Sequence, residues 1–312
     1  MYDLQDAATS TPIFVGGEHR SGTTLLAAIL DSHPRIVFGL ELDFLEPADL
    51  GPHLLECLRR LHAGEKATLA HGTPLAEFHW GVQFIRQCDS FGVGPAALEP
   101  LVRGVMNSRR SDLKEFRDRC ALVHAIGEHR RTELGVQHWG LKIQRTIVQA
   151  RELAEFWPQA RFVHIVRDAR DVAASHVRDH ASWGYRDVGA AAAGWSRLVE
   201  ATRPLRASPR FHELRDEDLI QDARATLLPL MDFLNLPWDD SVLSHSQARH
   251  TFLKPGSYEH PSTAAIQKPI HYRAMQRYRK DLPAANIETI ERIAGPWLTA
   301  LGYPVDFHGG LA

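Results

Sequence analysis

The sequence predicts an α/β fold in which a parallel sheet, flanked by helices, is built around a phosphate-type loop of the P-loop kind. Two observations carry that expectation. A short apolar run, Pro12-Ile13-Phe14-Val15, enters the glycine-bearing loop Gly16-Gly17-Glu18-His19-Arg20-Ser21-Gly22, which opens into a helical segment from Thr24 to Leu30. A second apolar run, Arg161-Phe162-Val163-His164-Ile165-Val166, is likewise followed by a helical pattern. Strands that alternate with helices pair in parallel through crossover connections.

The first loop aims backbone N–H groups and the positive end of a helix dipole at one point, which makes an anion site. The spacing from Gly17 to Gly22 is that of a phosphate-binding loop, and two hydroxyl residues, Thr23 and Thr24, follow it. Thr23, however, stands where a nucleoside triphosphatase needs lysine. Read by itself, the loop stays open between a triphosphatase without its lysine, a different anion site, and a plain strand-to-helix turn with a capping threonine. Pro34 ends the first helix, because the residue before a proline avoids helical geometry. Ile36-Val37-Phe38 reads as a second strand ending at Gly39-Leu40-Glu41. Residues from about 47 to 135 carry amphipathic helical patterns such as Leu54-Leu55-Leu58-Leu61. Trp139-Gly140-Leu141-Lys142-Ile143 is the next segment with chemical content, and the buried strand Arg161–Val166 follows it. A helix is predicted from Asp171 to His180, a strand at Phe211–Arg215 and a helix over Ala223–Leu234 with Leu227, Leu230, Met231 and Leu234 on one face. Pro237 to Pro269 is turn-rich, and Ile287–Leu301 reads as a final helix.

Composition narrows the function classes. The 312 residues suffice for one large α/β domain or two small ones; the ordered motifs point to one domain over 12–305, with polar tails at 1–11 and 306–312. A net charge of −2 argues against a broadly basic nucleic-acid binder. No apolar run approaches the roughly 18 residues of a membrane span, so no membrane partner is expected. Cys57, Cys88 and Cys120 are far apart and lack metal-ligand spacing, which suggests reduced thiols in a cytoplasmic setting. His176 with His180, and His124 with Glu128 and His129, also miss the pattern of a metal site. Lysine occurs only six times, so Lys142 and Lys268 at motif positions carry more weight than usual.

A second anion site lies at the end of the Phe162–Val166 strand, where Arg167 and Ser175 stand eight residues apart across a strand–helix junction. Ligands of open α/β sheets bind outside the carboxyl ends of the strands, so both sites can face one crevice. Together these segments resemble the sulfotransferases that use 3'-phosphoadenylyl sulfate (PAPS), above all the tyrosylprotein sulfotransferase branch and its bacterial relatives. Arg20-Ser21-Gly22-Thr23-Thr24-Leu25 resembles their 5'-phosphosulfate loop, and Leu30-Asp31-Ser32-His33-Pro34 continues that pattern. Val166-Arg167-Asp168-Ala169-Arg170 with Ser175 resembles their 3'-phosphate site. Leu214-Arg215-Asp216-Glu217-Asp218-Leu219, then Phe233-Leu234 and Pro237-Trp238, follow the family's order, and Gln267-Lys268-Pro269 resembles the loop whose lysine reaches the donor.

The resemblance implies a sulfotransferase fold and transfer of a sulfuryl group from PAPS to a hydroxyl or phenol, with release of 3'-phosphoadenosine 5'-phosphate and no metal requirement. It implies donor contacts from Arg20, Ser21, Gly22, Thr23, Thr24, Arg167, Ser175 and Lys268. It makes Lys142 and Arg20 the groups that stabilise charge and Glu41 the general base, since both Glu41 and Lys142 match positions of the tyrosylprotein enzymes. Residues 47–135 become the helical, acceptor-side insertion, and a homodimer is compatible with the family.

The chain also departs from that branch. Asp216 stands where relatives often carry an aromatic residue, and Asp179 stands where that branch has a further phosphate-binding arginine, with Arg178, one place earlier, the candidate to substitute for it. After Glu41 the tyrosylprotein enzymes carry arginines that meet acidic peptides, whereas this chain has Leu42-Asp43-Phe44-Leu45-Glu46-Pro47. An acidic peptide would meet like charge there. The expected acceptor is therefore a small molecule or a glycan, with protein tyrosine as the alternative. A P-loop kinase or triphosphatase using Asp168 as a magnesium ligand, and a binding module without transfer activity, are the other classes considered.

Overall fold

The computed structural model describes residues 4–44, 50–65, 79–179, 184–253, 266–270 and 275–306. Glu46 and His180 lie outside them. Five parallel strands form the sheet: β1 (Ile13–Gly16), β2 (Ile36–Gly39), β3 (His138–Gln144), β4 (Arg161–Val166) and β5 (Phe211–Arg215), in the spatial order β2-β3-β1-β4-β5. The chain leaves β1 toward β2 on one side and leaves β4 toward β5 on the other. The gap between β1 and β4 is thus the topological switch point, where open parallel sheets place their ligands.

Strand alternation assigns each residue to a face. Phe14 of β1 enters one core with Trp139, Leu141, Trp157 and Phe162, while Ile13 and Val15 enter the other with Ile36, Phe38, Val163 and Ile165. On the first face the Phe14 ring lies 5.2 Å from Trp157 and 5.6 Å from Phe162, within the range of favourable aromatic pairs. That face is covered by α3 (Leu50–His62), α4 (His79–Ser90), α5 (Pro95–Arg109), α6 (Phe116–Leu134) and α7 (Ala150–Phe156). The opposite face is covered by α2 (Thr23–Asp31) and, after α10 (Asp216–Gln221), by α11 (Ala223–Leu234). A third apolar cluster joins α8 (Ala169–Asp179), α9 (Val188–Thr202), α12 (Tyr278–Asp281) and α13 (Ala284–Ala300).

Three differences from the sequence-based expectation have clear causes. Strand β3 is not announced as an apolar run, because Trp139, Leu141 and Ile143 alternate with His138, Gly140 and Lys142, yet all six are buried. Helix α9 replaces a segment with no readable code; its alanines and Trp195 pack against α8 and α13. The expected frayed tail at 1–11 contains a short helix, α1 (Leu4–Thr9). Ala7 is buried in the first core, and the Ser10 hydroxyl donates to Glu128 at 2.6 Å, so contacts hold the segment in place. None of the described helices is long and apolar enough to cross a membrane.

Candidate active site

The first loop is shaped by its backbone. The Gly17 amide donates to the Gln144 carbonyl at 3.1 Å, and a Cβ at Gly17 would collide with the Ile165 carbonyl, so only glycine lets β1 pass this close to β4. The Ser21 amide then closes a turn onto the Glu18 carbonyl at 3.1 Å, with Arg20 in the left-handed region at φ 73°. Gly22, at φ 97°, caps α2 through its backbone, and Thr23 and Thr24 begin the helix, both buried. The N-terminus of α2 therefore faces the loop with its positive dipole. Among the described residues, the Ser21 hydroxyl is fully buried without a hydrogen-bond partner. A native orphan of this kind fits a polar ligand seated in the loop.

At the switch point the loop meets the second predicted anion site. Arg20 Nε donates to Ser175 Oγ at 2.8 Å, and Arg167 donates to the Arg20 carbonyl at 3.3 Å. Residues 155 positions apart are thus joined directly. Burial works against the Arg167 charge, but Asp216, Asp171 and Glu217 outweigh it and hold the guanidinium above its ordinary range. Asp216, at the position where relatives often have an aromatic residue, is wholly buried and lies 3.5 Å from Arg167 Nε. It acts as a counter-ion in the anion site. Asp171 is itself fixed by the amides of Gln276 and Tyr278, at 2.9 and 3.0 Å.

The other end of the site is built on β3. Lys142, 1% exposed, lies 2.6 Å from Glu41 Oε1 and donates to Thr24 Oγ1 at 3.0 Å. Burial pushes its ammonium pKa down, and Glu41, with Asp43 behind it, opposes that shift. Gln144, two residues on in β3, also donates to Glu41 Oε1. The segment after Glu41 is anchored as well: Asp43 accepts from Gln83 at 2.5 Å and Gln87 at 2.9 Å, both on α4.

Two further positions have surroundings of their own. Lys268, the lysine that the resemblance directs to the donor, is exposed. Arg178 turns toward Asp281, 3.6 Å away on α12. His33 is a turn residue, as its type suggests: its Nδ1 accepts from the Arg35 amide at 3.2 Å, which leaves Nε2–H to donate to the Pro237 carbonyl at 3.0 Å.

Sequence reasoning missed a second cluster under the loop. Glu18, 1% exposed, accepts from the His19 amide at 3.0 Å and from the Tyr185 hydroxyl at 3.4 Å, with Arg145 Nε 3.5 Å away. Burial raises its carboxyl pKa, and Arg145 counters part of that rise. Burial also pushes the His19 imidazole down to about 4, reinforced by His176 and Arg145. Glu18 and His19 lie inside the loop motif, but nothing in the pattern shows that Tyr185 and Arg145 converge on them.

A five-stranded parallel sheet, a phosphate-type loop at its centre and an arginine–serine pair across the switch point define a P-loop-like α/β protein with an extended anion site. The chain belongs to the sulfotransferase family, whose sequence profile matches residues 12–240. It is similar to Protein-tyrosine sulfotransferase 1 of Danio rerio, 24% identical over 303 residues that cover 93% of this chain and 72% of that protein. Protein-tyrosine sulfotransferase A of Caenorhabditis elegans is 23% identical over 301 residues, covering 95% of this chain and 68% of the relative. The Drosophila melanogaster protein-tyrosine sulfotransferase is 24% identical over 93% of this chain, which spans 51% of that relative. In fold the chain resembles the sulfotransferase domain of the Synechococcus PCC 7002 olefin synthase, with a TM-score of 0.63 at 20% identity over 92% of this chain and 95% of that one. It also resembles the sulfotransferase domain of the curacin biosynthetic pathway, with a TM-score of 0.59 at 18% identity over 95% and 99% of the two chains.

Proposed function

We propose that this sulfotransferase uses PAPS as its donor and transfers the sulfuryl group to a hydroxyl or phenol of a small molecule or glycan. The observation that carries the reading is the convergence of Glu41, Lys142 and Thr24 at one end of an anion site whose other end is Ser175 and Arg167, with Arg20 between them, bonded to Ser175 and acting on Lys142. The orphan hydroxyl of Ser21 and the buried guanidinium of Arg167 suit a donor with anionic groups at both ends. PAPS supplies a sulfuryl group activated by its bond to phosphate.

The residues of the chain then divide the work. The loop amides, Ser21 and Arg20 hold the phosphosulfate end, while Arg167 and Ser175 hold the 3'-phosphate. Glu41 takes the proton of the acceptor hydroxyl as that oxygen bonds to sulfur. The sulfur–oxygen bond to phosphate breaks, and Lys142 supplies positive charge where negative charge grows. A positioned general base of this kind contributes about 10²–10⁴-fold in rate.

Asp43 supports the small-molecule or glycan acceptor, because two glutamines keep its carboxylate two residues from Glu41. The relatives named as protein-tyrosine sulfotransferases favour the other acceptor class. The kinase reading lacks support at its key residue: Asp168 accepts from Arg170 Nε at 2.9 Å and from its terminal nitrogen at 2.6 Å, so a magnesium ion would have to displace that pair. A thermal-shift comparison tests the donor. Stabilisation by 3'-phosphoadenosine 5'-phosphate and none by ATP with magnesium is expected, and the reverse overturns the reading. Incubation with labelled PAPS and matched neutral phenols, sugars and acidic tyrosine peptides tests the acceptor. Preferential sulfation of the peptides would replace the small-molecule reading by the protein-tyrosine one.

A further inference from the structure

We infer that Gln144 is a positioning residue that fixes Glu41 for proton transfer and ties its orientation to the donor loop; this rests on Glu41 being the general base. Gln144 does two things at once. Its side-chain amide donates to Glu41 Oε1, the same oxygen that faces Lys142 Nζ at 2.6 Å. Its backbone carbonyl receives the Gly17 amide at 3.1 Å, at the entrance of the phosphate-type loop.

The backbone of Gln144 is strained to achieve this. It sits at φ 44°, ψ −127°, a conformation that glycine adopts easily and a residue with a Cβ rarely does. The register between β1 and β3 also slips here: Val15 pairs with Lys142, but Gly16 pairs with Gln144, so Ile143 has no partner on β1 while its side chain stays in the first core. Bulges re-aim side chains and gather beside active sites. If the position served only the turn, glycine would meet the backbone demand at lower strain. A glutamine kept in glycine's conformation, with its amide on the reacting carboxylate, indicates that the side chain serves the chemistry.

Lys142 on β3 faces Glu41 directly and His19 from the loop interacts with it, while Asp43 and Arg20 act on its partner Lys142. Removing a neutral donor from the carboxylate leaves those charges in place and makes the charged form less favourable.

The test compares Gln144→Met, Gln144→Gly and Glu41→Gln in the full chain. Three quantities are read: transfer from PAPS to unsubstituted phenol, whose hydroxyl keeps its proton at neutral pH, affinity for 3'-phosphoadenosine 5'-phosphate, and the thermal midpoint. Gln144→Met keeps the bulk and removes the donor. Its kcat is expected to fall about 10-fold while nucleotide affinity stays within about twofold. The acidic limb of its rate profile should move to higher pH, because the carboxylate loses a donor that favours its charged form, and the ¹³C-carboxyl signal of Glu41 should follow the same shift. Gln144→Gly should lose the same activity while its thermal midpoint holds or rises, since the backbone strain is relieved. Parent-like kcat and pH limb in both variants, with Glu41→Gln inactive, would leave the base in place and overturn the role of Gln144. Full activity of Glu41→Gln would overturn both.

Discussion

The two ends of the anion site are built from the same ingredients and differ in their surroundings. At the arginine end, Arg20 donates to Ser175, Arg167 donates to the Arg20 carbonyl, and buried acids stand behind the Arg167 guanidinium: Asp171, Asp216 and Glu217. Asp171 is pinned in turn by two backbone amides. At the lysine end, Lys142 has Glu41 within ion-pairing distance, and burial pushes the ammonium pKa down. The first arrangement keeps a positive charge permanently ready for an anion. The second holds an acid and a base side by side in a dry place, where a proton and a developing charge can be exchanged. Under the proposed function, that contrast divides binding and chemistry between the two ends.

That contrast can be broken by mutation. The largest effect is expected for Lys142→Ala and Glu41→Gln: about a 10³-fold loss of kcat with nucleotide affinity within about threefold, read by steady-state kinetics and calorimetry. Arg167→Ala should do the opposite, weakening nucleotide binding about 100-fold, or roughly 2.7 kcal/mol, because buried Asp216 and Asp171 lose their cation. Equal losses of kcat and affinity in both sets would erase the division of labour. Ser175→Ala removes one hydroxyl and is expected to cost about 1 kcal/mol of nucleotide affinity. Arg178→Ala, at a side chain turned to Asp281, should change that affinity less than twofold, and a tenfold loss would return Arg178 to the phosphate site.

A pH scan sharpens the comparison at the loop between the two ends. The buried His19 imidazole is pushed from its ordinary 6.5 down to about 4, so the folded state binds its proton less readily than the unfolded chain does. A depressed pKa of this kind contributes stability above pH 6.5 that is lost as pH falls toward 4. His19→Asn should therefore flatten the decline of the thermal midpoint across that window, while the midpoint above pH 7 changes little.

The sequence made the arginine end legible because its residues are local in sequence pairs: Arg20 to Thr24 follow one strand, and Arg167 with Ser175 follow another. Backbone geometry then places the carboxyl ends of adjacent strands together. Much of the lysine end was legible only through family resemblance, since nothing in the spacing of Glu41 and Lys142 brings them to one point. Gln144, Tyr185 and Arg145 were not legible. Their roles depend on a bulge in β3 and on how the segments after β3 and before α9 approach the loop. Glu18 was visible in the motif, yet only its burial beside Arg145 shows it to be a partner of the loop rather than a surface carboxylate.

By itself the sequence determined that an α/β chain opens on a glycine loop with phosphate-type spacing and no lysine at its end, and it pointed to a candidate second anion site after a later strand. These are local properties, set by periodicity, glycine placement and residue type over a few positions. Only the tertiary structure decided that β3 lies between β1 and β2, which brings Lys142 against Thr24 and Glu41. It alone turned Asp216 into a counter-ion of Arg167 and placed Gln144 on Glu41. The physical reason is that parallel strand order and side-chain burial are set by packing among segments far apart in the chain, and no window of sequence carries that sum.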